Sequence, residues 1–146
     1  MKHNDLINEK ITDIDSQIIG IENLRTKQKE QFGKKSKSPK VLLVGMGEID
    51  TSHDKATKFQ QWRKTLLQNA LLQSEEEIKT RLTGIESQLY LQEGLNILTE
   101  NPNELCKKGI EQLSETAQKL YCEYALLMLS LGYMETLEGF KNFKGG

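Results

Sequence analysis

From Cys106 to Met134 the apolar residues step 4, 3, 4, 3, 4, 3, 4, 3, through Ile110, Leu113, Ala117, Leu120, Tyr124, Leu127 and Leu131. A mean step of 3.5 keeps one helix seam aimed at a neighbour and is foreign to the period of two in a strand. Sustained this long, it predicts a left-handed supercoil. Two shorter seams precede it. Ile7, Ile11, Ile14, Ile18 and Ile21 form one; Ile78, Leu82, Ile85, Leu89 and Gln92 form the other, extended by Leu95 and Leu98. The aliphatics agree with helices: 21 Leu and 11 Ile stand against two Val, and there are only two Pro. Hydrophobic residues are only 36% of the chain, a lean core that narrow seams can make sufficient.

The expected fold is all-α: an elongated helical bundle built on an antiparallel coiled-coil hairpin, with one short extended segment near 38–50. We read 1–146 as a single domain. A helix over 5–32, capped by Asn4 or Asp5, has a seam that fails at Arg25 and Gln28 before Phe32. A basic loop and extended segment cover 33–53. Val41-Leu42-Leu43-Val44 holds both valines and reads as a strand or a buried hook. A helix over 54–100 follows, capped by Thr51, Ser52 or Asp54. It is either continuous or broken near Ser74, where Ser74-Glu75-Glu76-Glu77 has the form of a capping box. Asn101-Pro102-Asn103 then turns the chain into a last helix over 103–140, antiparallel to the one before it. The tail is 141–146.

Charge is segregated beneath a net value of -1. Residues 25–40 carry seven basic side chains and one acidic, net +6, whereas residues 74–139 carry five basic and twelve acidic, net -7. Lys34, Lys35, Lys37 and Lys40 are therefore anion-binding candidates, able to neutralise phosphates of nucleic acid or an anionic surface. The alternative readings are a solvated loop, or contact with the acidic half of the same chain or of another copy. No aromatic residue interleaves with these lysines, so a base-stacking platform is not indicated.

Chemistry-bearing motifs are sparse. Gly45-Met46-Gly47 after the valine run resembles the start of a dinucleotide loop, but Asp50 stands where a third glycine is needed, and no Gly-Lys-Ser/Thr follows. Ser52-His53-Asp54 lines up three catalytic residue types, yet triads are assembled in space, and helix capping is the simpler account. Glu75, Glu76 and Glu77 suit a helix amino terminus without a metal. With two His, two Cys and no ligand-spaced motif, no metal or cofactor is expected, and the chain is not read as an enzyme. Cys106 and Cys122 on one helix would be about 24 Å apart, too far for a disulfide.

Met1–Glu9 has no apolar core of a signal peptide, and Ala125–Leu129 is far short of a membrane span. A cytoplasmic location is expected. Tyr124–Met134 is apolar nearly all round, which requires deep burial or a covering partner. Leu126, Leu129 and Tyr133 lie off the main seam and are the candidate interface residues. The expected function is a non-enzymatic protein–protein interaction module, such as an adaptor, chaperone-like binder, inhibitor or assembly subunit, forming a homodimer or higher homo-oligomer. Nucleic-acid or anionic-surface binding through 25–40 is the alternative.

Overall fold

A computed structural model describes residues 2–35, 38–93, 114–135 and 142–143. Within them the fold is all-α, with four helices: α1 (Asn4–Lys35), α2 (Pro39–Leu72), α3 (Glu75–Glu93) and α4 (Glu115–Ser130). The chain divides into two compact units. One comprises Met1–Glu9 with Leu66–Gly146, and the other Lys10–Thr65.

The first unit holds most of the buried side chains. Ile78, Leu82, Ile85 and Leu89 on α3 are fully buried, as the seam required. They pack on α4, where Ala117, Leu120, Tyr124, Leu127 and Leu131 are buried in turn. Lys79, one turn into α3, feels the Tyr133 phenol just past the end of α4, while Glu86, two turns on, accepts a hydrogen bond from Tyr124. The two helices therefore run antiparallel. Arg81 adds a forked pair with Glu123 at 2.8 and 2.9 Å. The amino-terminal segment closes this unit. The His3 amide donates to the Ser130 carbonyl at 2.8 Å, and the Lys2 ammonium caps the end of α2 through the carbonyls of Leu71 and Gln73.

The second unit is a hairpin of α1 and α2. As numbering rises along α1 it falls along α2. Asp15 pairs with Lys64 at 2.7 Å, Arg25 with Asp54, Lys29 with Asp50 at 2.6 Å, and the Phe32 ring lies over Gly45. A Cβ at Gly45 would collide with the Phe32 ring, so glycine permits this approach. Burial here is thin. Of the described residues in 10–65, Ile14 is the one buried aliphatic and His53 the one buried polar residue.

Several expectations are corrected. The segment near 38–50 is not extended, because α2 begins at Pro39. Ser38 precedes the helix and its carbonyl accepts from the Leu42 amide at 2.9 Å. Proline in the first turn is pre-set for a helix. Two valines cost a helix only about 0.5 kcal/mol each, and a lone strand has nothing to pair with. Of the two readings of 54–100, the structure has the one broken near Ser74: α2 ends at Leu72 and α3 starts at Glu75. The Ser74 hydroxyl accepts from the Glu77 amide at 3.2 Å, as the S-x-x-E pattern suggested. Thr51, Ser52 and Asp54 consequently cap nothing; all three lie inside α2. The last helix ends at Ser130 and not near 140. Gly132, at φ +86°, lets the Tyr133 amide reach the Met128 carbonyl and the Gly132 amide reach Leu129, a Schellman closure. The 101–103 turn, the seam from Cys106 to Leu113 and the tail lie outside the described residues, apart from 142–143.

Candidate interaction surface

The hairpin of α1 and α2 is built by charge as much as by apolar contact. Where the α1 seam loses its isoleucines, Arg25 takes over and reaches the Asp54 carboxylate across the hairpin. Asp50, one turn earlier on α2, lies 2.6 Å from Lys29 and 3.9 Å from Arg25. The hydrogen bond from Lys29, assisted by the charges of Lys29 and Arg25, holds its carboxyl below the ordinary aspartate range. The hydrogen bond to Asp54 raises the Arg25 guanidinium further. Two sequence positions that looked like broken seam and stray acid are thus halves of one ladder.

His53 sits buried between these carboxylate positions, its Nδ1 2.7 Å from the Ile49 carbonyl one turn back. That contact makes Nδ1 the donor and secures the ring to its own helix. Ser52 is exposed, and Asp54 is engaged by Arg25. Consecutive residues of one helix point about 100° apart, so Ser52, His53 and Asp54 do not converge on a reacting atom. Among the described residues no group of three or more His, Cys, Asp or Glu is placed to hold a metal ion.

The other face of α2 is open. At 3.6 residues per turn, Val41, Val44, Phe59 and Trp62 lie on the side away from the α1 contacts of Met46, Asp50 and Lys64. Val41 and Val44 are 55% and 56% exposed and Phe59 37%, while Trp62 is half-buried. Phe59 and Trp62 stack with centroids 5.7 Å apart. Between the apolar ends lies a shallow groove lined by Val44, Gly47, Glu48, Thr51, Ser52 and Lys55. Thr51 turns its hydroxyl back onto the Gly47 carbonyl at 2.9 Å, which keeps the middle of the groove low. α2 therefore meets α1 with a largely charged side and carries exposed apolar residues at both ends of the opposite one. The spacing of Val41, Val44, Phe59 and Trp62 was present in the sequence, but reading 38–50 as extended cut the stripe in half.

The residues singled out from sequence are scattered. Leu126, proposed from sequence as an interface residue, is 1% exposed and buried within its own unit. Leu129 and Tyr133 are half-buried, and Tyr133 packs edge-on against Phe143 at 5.2 Å. The amino-terminal segment bonded to Ser130 belongs to the same unit, so more of α4 is covered than a two-helix hairpin would cover. Lys34 and Lys35 are exposed at the end of α1 and Lys40 at the start of α2; Lys37 lies outside the described residues. Among the described residues no helix is long and apolar enough to cross a membrane. No family model, no curated protein and no solved structure matches the chain.

Proposed function

We propose that the chain is a non-enzymatic interaction module that docks a helical protein partner on the outer face of α2. The observation that carries this reading is the exposure of Val41, Val44 and Phe59, with the half-buried Trp62 stacked on Phe59, on a helix whose opposite face already packs on α1. The stripe lies in a unit with almost no buried core, so covering it adds apolar burial that the hairpin lacks. Tryptophan, present here as Trp62, is also among the residue types that anchor binding hot spots. The test is affinity capture with the full chain beside Val44→Glu and Phe59→Glu variants, with helicity checked by circular dichroism. A specific partner lost with both substitutions while helix content is unchanged supports the reading; capture indifferent to both overturns it.

A second reading, binding of nucleic acid or an anionic surface, is favoured by the exposure of Lys34, Lys35 and Lys40 and by the lack of any acidic residue between Gln31 and Gly47. Salt-sensitive retention on DNA or RNA that is lost on replacing these lysines with glutamine would establish it. A wild-type chain that binds neither at low salt would remove it.

A further inference from the structure

We propose, building on the docking reading above, that the partner on the outer face of α2 is a second copy of this chain, packed antiparallel about a two-fold axis between Thr51 and Ser52. A two-fold interface requires a patch complementary to itself. This stripe has that property. Counted from the point between residues 51 and 52, Val41 lies as far out as Trp62, Val44 as far as Phe59, and Glu48 as far as Lys55.

Reversed and laid on itself, the stripe sets small against large and acid against base. Val41 meets the partner's Trp62, and Val44 meets the partner's Phe59. Glu48 meets the partner's Lys55, and the two-fold repeats each pair. Both charged residues are exposed, and neither forms an ion pair with another described residue. In a parallel pairing Glu48 would face Glu48 and Lys55 would face Lys55, so charge selects the antiparallel arrangement. Thr51 and Ser52 sit at the axis with Gly47 nearby, and the groove they line leaves room for close approach of the two helices. Residues 41–62 give a seam of about 33 Å at ~1.5 Å per residue.

The test uses the full chain in light scattering across a wide concentration range. The expected mass is twice 16.7 kDa. Glu48→Lys and Lys55→Glu each convert both ion pairs to repulsions and weaken association by about tenfold or more, with circular dichroism unchanged. Mixed in equal amounts, the two variants re-form the dimer, because each carries the charge that the other lacks. Trp62, the sole tryptophan, shifts to the blue as the wild type associates. A monomeric wild type at every concentration overturns the proposal, as does a dimer that ignores both charge reversals or variants that mixing does not rescue. A monomeric wild type that still captures another protein through Phe59 overturns the two-fold pairing alone; a monomer that captures nothing overturns the docking reading with it.

Discussion

Asp50 sits opposite two cations of α1, Lys29 at 2.6 Å and Arg25 at 3.9 Å. The Lys29 hydrogen bond is the main reason its carboxyl is depressed; desolvation opposes it, and the charges of Lys29 and Arg25 reinforce it. A group whose folded pKa lies below its unfolded value stabilises the fold above the unfolded pKa, and that contribution disappears as pH falls through the folded one. The hairpin should therefore lose stability below about pH 4, and added salt should shrink the effect because these groups are solvent-accessible. Urea midpoints compared between neutral and acid pH check this: the wild type should lose more on acidification than Asp50→Asn, and equal losses would contradict it. Glycine has two meanings in the same hairpin. At Gly20 an added methyl would meet nothing within 4 Å, so Gly20→Ala should stabilise by about 0.5–1 kcal/mol through helix propensity. At Gly45 the methyl would strike the Phe32 ring, so Gly45→Ala should destabilise by roughly 1–3 kcal/mol. Combining Gly45→Ala with Phe32→Leu should recover part of the loss in thermal melts.

α4 ends where a local rule acts, not where the apolar pattern ends. The seam continues to Met134, yet the helix stops at Ser130 because Gly132 takes a left-handed conformation and closes the last carbonyls. Gly132→Ala would strain that conformation and push a methyl into the His3 ring, 2.5 Å away at Nε2. It should cost more than about 1 kcal/mol, read as a lower urea midpoint with unchanged slope. The same contrast explains what could be read from the chain. Ile78–Leu89 and Ala117–Leu131 were legible because a seam of period 3.5 states which residues a helix buries without naming the neighbour. Residues 39–50 were not. Val41 and Val44 look like strand residues locally, and their helix is fixed by Pro39 at its start and by Phe32 packing on Gly45. The burial of Leu126 was also illegible, since the unit that buries it includes an amino-terminal segment more than 115 positions away in the chain. The outer stripe of α2 became visible only when its two halves were joined into one helix.

The two units differ in both core and charge. Residues 10–65 carry twelve basic and seven acidic side chains, net +5, and the remainder of the chain carries net -6. Nearly all fully buried side chains belong to the acidic unit. Local opening energies follow buried apolar contact, and a two-helix hairpin held by exposed ion pairs has little of it. Amides of α1 and α2 within 10–65 should therefore exchange with deuterium faster than those of α3 and α4. The proposed pairing makes a further demand. Covering the outer face of α2 stabilises the hairpin by mass action, so its protection must rise with protein concentration while that of α3 and α4 stays nearly level. Under the same conditions Glu48→Lys should show low hairpin protection at every concentration. Hydrogen exchange at two concentrations an order of magnitude apart separates the cases: a concentration-independent hairpin would mean that its thin core is sufficient alone, and the outer face would then have no stabilising role.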